Sequence, residues 1–219
     1  MQWNDQFMSL FCAAVDRYHE NRQSTPESFF LRHEADFLAT IGYLPEEMYA
    51  YIEDFATTGA PSPSTALLIA AVRRNFFLIA QRGCRGEAAP VRSGDLPAES
   101  EEFHEIAYLP RIVRKAAAKL FGTLSPDLMY GCAKDRAFLR THGDIHPADF
   151  LQLVWQTHAD TQKMVQLVLD AMKQQQEHEM TIAEPEPPAE GDACSIANAA
   201  PEAEDEPNAE QKPATAPTP

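Results

Sequence analysis

Through most of the first 180 residues, apolar side chains return every three or four positions, the spacing that puts them on one side of a helix. Phe7, Leu10, Phe11, Ala14, Val15 and Tyr18 predict an amphipathic helix from Asp5 to about Glu20. A polar break at 21–24 is followed by Thr25-Pro26-Glu27, which reads as N-cap, N1 proline and first-turn acid. Phe30, Phe37, Leu38 and Ile41 carry a helical face on to Gly42, as one helix or as two short ones. Pro45-Glu46-Glu47 opens the next helix, with Met48, Tyr51, Ile52 and Phe55 to one side. Ser64 is expected to cap the longest helix, Thr65 to about Gln81. The first half of that segment is apolar on nearly every side, as in a central helix surrounded by others. A buried strand would share the pattern, but length and alanine content favour helix.

The second half is less uniform. Residues 84–100 carry glycine, proline, serine and charges without periodicity and read as a surface connection, with a short helix expected within Pro97–Ile106. Pro110 to Phe121 is a helix stopped by Gly122; Lys134–His142 and Pro147–Trp155 form a pair. A last helix is capped by Asp160 or Thr161 and lined by Met164, Val165, Val168 and Met172. No segment alternates as a strand does. The pattern therefore predicts an all-α, compact multi-helix bundle with short glycine–proline corners.

Two of those corners echo each other. Phe37-Leu38-Ala39-Thr40-Ile41-Gly42 before Pro45 resembles Phe138-Leu139-Arg140-Thr141-His142-Gly143 before Pro147. The echo allows two similar halves, about 1–83 and 97–180, joined by a loop at 84–100. Shared turn chemistry accounts for it more readily than duplication. Each glycine is expected at positive φ, so Gly42→Val and Gly143→Val should each cost on the order of 1–2 kcal/mol.

Composition changes the picture at the C-terminal end. Residues 181–219 hold nine acids against Lys212 alone, and eight of the 17 prolines. Such a segment buries too little apolar surface to offset its ordering entropy, so it is expected to be a disordered Pro/Glu/Ala-rich tail, dispensable for folding. The whole chain has 18 basic and 33 acidic residues, net −15; without the tail, 17 basic and 24 acidic residues leave 1–180 at −7. That balance argues against general nucleic-acid binding. The four cysteines, Cys12, Cys84, Cys132 and Cys194, lack zinc-site spacing, and Met1-Gln2-Trp3-Asn4-Asp5 lacks the character of a signal peptide. Reduced thiols and a cytoplasmic location are expected. The most apolar run, Thr65–Val72, is too short to span a bilayer.

Candidate chemistry is sparse. His142, Asp144 and His146 are close in sequence, but Gly143 and Pro147 interrupt the helix that would put both histidines on one face, so structural roles are expected and no metal site is assigned. Glu99, Glu101, Glu102 and Glu105 read as solvated acids near a helix start. No phosphate loop, nucleophile elbow or cofactor fingerprint is present, and no cofactor is expected. The cations are more informative. Arg111, Arg114, Lys115 and Lys119 recur at helical spacing on one helix, with Arg136 nearby. They read either as a solvated face paired with local acids or as a surface for an anion or acidic partner, for which the tail's Glu202, Glu204, Asp205 and Glu206 would compete.

Leu109-Pro110-Arg111-Ile112-Val113-Arg114-Lys115, then Gly122, Pro126-Asp127-Leu128-Met129-Tyr130-Gly131-Cys132 and Asp135-Arg136-Ala137-Phe138-Leu139, resemble a family of uncharacterised bacterial proteins of verrucomicrobial type. The resemblance is clearest over 108–155 and implies a small bacterial cytoplasmic helical protein, without supplying an activity. The function expected is a non-catalytic binding or protein-interaction module whose partner is a protein or a small anionic ligand. The alternative is a small enzyme with its site near Arg111, Tyr130, Asp135 and Arg136.

Overall fold

The computed structural model describes residues 2–22 and 25–183. Helix α1 (Trp3–Glu20) leads through the single-turn α2 (Pro26–Phe29) to α3 (Arg32–Thr40), α4 (Pro45–Thr58) and α5 (Pro63–Ile79). A long connection carries a hairpin, β1 (Glu102–Phe103) and β2 (Ile106–Ala107), to α6 (Leu109–Phe121), α7 (Ala133–Thr141), α8 (Pro147–Gln156) and α9 (Thr161–Ala183). The protein is an all-α multi-helix bundle. The longest helix among the described residues is α9, not α5. It runs past the expected boundary at 180 to Ala183, and the remainder of the acidic segment lies outside the described residues.

Prolines at the first turn start α2, α4, α5, α6 and α8, where a missing N–H costs no helical hydrogen bond. The cap of α5 is Ser62, whose oxygen accepts from the Thr65 N–H at 3.2 Å, one proline earlier than the sequence reading placed it. Asp160 caps α9, accepting from the Gln162 and Lys163 N–H groups. The segment before Gly42 is two helices, because Phe30 and Leu31 are extended between them.

One core joins the bundle. Phe7, Phe11 and Ala14 of α1 meet Met48 and Ile52 of α4; Ala66, Ile69 and Ala70 of α5 continue the core to Ile112 and Ala116 of α6 and Phe150, Leu151 and Val154 of α8. The expectation that α5 is enclosed on every side is not met, since Leu68 and Ile79 face outward. Helix α6 is the enclosed one. Nine of its 13 residues are buried, and three consecutive alanines, Ala116, Ala117 and Ala118, let its neighbours approach closely.

Both glycine corners adopt the left-handed conformation, with φ of +76° at Gly42 and +101° at Gly143. A Cβ on Gly42 would lie 2.6 Å from Phe77 Cγ, and one on Gly143 would lie 2.6 Å from the Ala171 Cβ and 2.8 Å from its carbonyl carbon. The second corner meets the start of α5, where Thr65 Oγ1 sits 3.4 Å from Nε2 of His146.

The region between α5 and α6 corrects two expectations. In place of a short helix over Pro97–Ile106, residues 102–107 form a two-stranded antiparallel hairpin. Its turn residues His104 and Glu105 have φ of +51° and +64°, the geometry of a type I′ turn that usually recruits glycine or asparagine. That is why the sequence concealed it. The loop before the hairpin is also tied down, by a bridge from Val91 to Leu124.

Candidate functional site

Helix α6 begins abruptly. Tyr108, its N-cap, has φ of +72°, a left-handed conformation rare for a non-glycine residue, and its N–H donates to the Glu101 carbonyl across the hairpin at 3.0 Å. The turn aims the phenol inward. Tyr108 OH donates to Asp135 Oδ1 at 2.8 Å, while Asp135 Oδ2 accepts from Lys115 Nζ and from the Gly131 N–H, each at 2.8 Å. Asp135 is fully buried and Lys115 nearly so. Lys115 also approaches Cys132 Sγ at 3.3 Å. Burial, reinforced by the Asp135 charge and hydrogen bond, pushes the Tyr108 phenol far above its ordinary range, so it stays a donor.

The same helix repeats the arrangement one turn later. Lys119 is 1% exposed, and its Nζ meets Glu47 Oε1 at 3.3 Å beneath the rings of Tyr43 and Tyr51, 4.1 and 5.0 Å from their centroids. Glu47 Oε2 accepts from the Leu44 N–H at 2.9 Å and lies 3.9 Å from Arg85. Beside this pair stands Arg73, entirely buried, its Nη1 donating to Gln81 Oε1 at 2.8 Å. Burial pulls both the Arg73 guanidinium and the Lys119 ammonium below their ordinary values, against the opposing charge of Glu47.

A common device underlies both sites. Glu47 and Asp135 are third residues of their helices, α4 and α7, and each reaches back to a backbone N–H just upstream. Each then receives an ammonium from α6. Glu34 does the same at the start of α3, accepting from the Leu31 N–H at 2.8 Å and from both arms of Arg17 at 2.8 and 2.9 Å.

The four α6 cations expected on one face are therefore separated. Lys115 and Lys119 are inside the bundle because Ile112, Ala116 and Leu120, which share their side of the helix, belong to the core. Arg111 is half-buried and donates to the Pro97 carbonyl at 2.7 Å, and Arg114 is exposed. Arg136 turns away to the Gly131 carbonyl at 2.7 Å and Asp54 at 3.2 Å. Of the alternative grouping, Tyr130 is buried with its hydroxyl on the Pro147 carbonyl, its own carbonyl accepts from Tyr51, and Arg111 is held by the Pro97 carbonyl.

The histidines at the second corner serve the backbone. His142 stacks on Phe138 with Nδ1 2.8 Å from that residue's carbonyl, and His146 caps α8 through the Ala148 N–H at 3.2 Å. Of the acidic group at 99–105, Glu99 pairs with Lys134. Among the described residues no three histidine, cysteine or carboxylate groups converge as metal ligands, and no helix is long and apolar enough to cross a membrane.

The surface concavities differ in character. A groove of about 350 Å³ between the ends of α5, α6 and α8 is lined by Phe76, Ala117, Leu120, Phe121, Trp155 and His158, among others. Phe76 stands edge-on to both Phe121 and Trp155, at 4.9 and 5.4 Å between centroids. A shallower depression of about 560 Å³ beside α4 is lined by Glu53, Asp54, Asp127, Met129 and Cys132. Sequence reasoning passed over Arg73, Tyr108 and the aromatic groove. For Arg73 a signal existed, because it falls on the stripe of Ala66, Ile69, Ala70, Phe76 and Phe77. For Tyr108 and the groove the partners lie too far along the chain. Comparison with models of known protein families, with curated proteins and with solved structures gave no match to this chain.

Proposed function

We propose that this chain is a non-catalytic helical interaction module that receives an apolar helix of a partner protein in the groove between α5, α6 and α8. The observation carrying the reading is the composition of that groove. It is walled by Phe76, Phe121 and Trp155, and Phe121 remains 53% exposed at its rim. Ile79, one turn beyond Phe76, is 69% exposed. Large apolar side chains left in water around an aromatic-lined concavity are characteristic of interaction surfaces, and aromatic anchors supply most of the energy there. The groups that would favour an enzyme, Asp135 and Tyr130, are instead committed to hydrogen bonds inside the protein.

The bacterial family resemblance over 108–155 and a cytoplasmic setting belong to the same reading. So does the anion chemistry of α6, for which Arg114 is the cation left exposed on that helix, above a hollow shared with Asp95 and Thr161. The test is amide NMR on the full chain with amphipathic helical peptides, comparing the parent with Phe121→Glu. Shifts at Phe76, Leu120 and Trp155 that vanish in Phe121→Glu support the reading. Shifts confined to the depression at Asp54, Asp127 and Cys132 would overturn it.

A further inference from the structure

The cluster around Arg73 is unbalanced in a way that its neighbour around Asp135 is not. Fully buried Lys119 and Arg85 at the edge pair with one carboxylate, Glu47, and fully buried Arg73 stands near enough to feel the same charge. The C-terminal end of α6 lies against Arg73, at Gly122, and contributes roughly half a negative charge. With Arg85 counted, about one and a half positive charges remain uncompensated where charge is costly.

The hydrogen bonding is incomplete in the same place. Arg73 Nη1 is used by Gln81, but Nε and Nη2 have no acceptor among the described residues although both atoms are buried. These two nitrogens form the side-on edge of the guanidinium, which presents two parallel N–H bonds. The Tyr43 hydroxyl is also buried without a partner. Its phenol lies near enough for the Arg73 charge to oppose the upward push that burial gives it. Finally, Gly122 keeps the edge of the fork clear: a Cβ there would lie 2.5 Å from Nη2.

We propose that the Arg73–Lys119–Tyr43 cluster binds one small monovalent anion, a halide or a planar oxyanion such as formate. The Arg73 fork anchors it, the Tyr43 hydroxyl donates a further hydrogen bond, and Lys119 and Arg85 supply the field. A water molecule would answer the idle donors but not the surplus charge, and complete burial limits the occupant to a compact ion. This site borders the aromatic groove, since Gln81 both lines the groove and holds Arg73 Nη1, but the inference does not rest on what the groove receives.

The full chain should be melted in gluconate buffer at fixed ionic strength while chloride, bromide or formate replaces gluconate. The proposal expects saturable stabilisation, with the midpoint rising by roughly 3–5 °C per tenfold anion above its Kd. Tyr43→Phe, which removes no protein–protein hydrogen bond, should fold and weaken the anion's apparent affinity several-fold. Arg73→Met should abolish the response; if it fails to fold, the Tyr43→Phe result and a bromide soak decide. Crystals soaked in bromide should show one anomalous peak within hydrogen-bond reach of Arg73 Nε and Nη2. Absence of both a saturable response and a peak at Arg73, or bromide only at exposed Arg114, overturns the proposal and leaves water as the partner of the fork.

Discussion

Lys115 and Lys119 are one turn apart on the same helix, both buried, both opposite the third residue of another helix, yet their surroundings differ. Around Lys115 the account closes. One ammonium faces one carboxylate, whose oxygens also accept from a phenol and a backbone N–H. Around Lys119 it does not, because Arg85 shares the same carboxylate while Nε and Nη2 of nearby Arg73 stand idle. Identical geometry can therefore serve as a rivet in one place and as a charged receptacle in the next. What separates them is the ratio of cations to carboxylates. A buried pair that is exactly matched is hard to break but adds modest net stability, whereas a surplus cation is a standing cost until something answers it.

The most damaging single change should fall on the matched site. Asp135→Asn leaves the Lys115 ammonium buried without its counter-charge, and urea denaturation should show a loss of about 3–5 kcal/mol. A loss under about 1 kcal/mol would mean that Lys115 finds another partner, and the site is no rivet. The sharpest comparison is one substitution made twice. Lys115→Met should cost about 3 kcal/mol, since it leaves the buried Asp135 charge with hydrogen bonds but no paired cation, while Lys119→Met should fall within roughly 1 kcal/mol of the parent, because Glu47 keeps the Leu44 N–H and the nearby Arg85. Equal costs would erase the distinction.

Tyr108→Phe removes one donor from a buried carboxylate and should cost about 1.5–3 kcal/mol by the same measurement, with no counterpart expected for Tyr43→Phe in anion-free buffer. The smallest effect belongs to the third copy of the device. Burial pushes the Glu34 carboxyl up, but the hydrogen bonds from Arg17 and the Leu31 N–H, with the Arg17 charge, outweigh it and hold the group below its usual 4.5. A depressed folded value means stability that is complete above pH 4.5 and lost as pH falls through the lower folded value. Stability curves between pH 7 and 3 should show a contribution of roughly 1 kcal/mol that Arg17→Met removes; an unchanged acid limb would show that the pair is spent on solvent.

Helix starts, glycine corners and the helical class were legible because they depend on residues a few positions apart: Pro45, Gly42, Pro147 and Gly143 announce themselves. The direction of the α6 lysines was not. Helical spacing put Lys115 and Lys119 together with Arg111 and Arg114, but charge was read as a sign of exposure, and the acids that neutralise them, Asp135 and Glu47, lie 20 and 72 residues away. The sequence reads Glu47 only as a helix-start residue, and Asp135 only as part of a family motif and of the alternative enzyme site. At Glu47 the helix-start reading is right and incomplete, since one oxygen accepts from the Leu44 N–H and the other is left for a distant cation. The hairpin was hidden for the opposite reason, because His104 and Glu105 give no local hint of the positive φ they adopt.

The long-range ties have a further consequence for how the chain is assembled. Glu47 and Asp54 come before the loop at 84–100, and Lys119 and Arg136 come after it. Tyr51 reaches across the same gap to the Tyr130 carbonyl. Cut within residues 86–90, all of them exposed, the chain would yield two pieces that part Glu47 from Lys119, Asp54 from Arg136 and Tyr51 from the Tyr130 carbonyl. Neither piece has a reason to fold alone, and each has a reason to find the other. The molecule is built like a split reporter, two stretches of sequence whose reunion is driven by a shared core and fixed in register by a few buried polar ties.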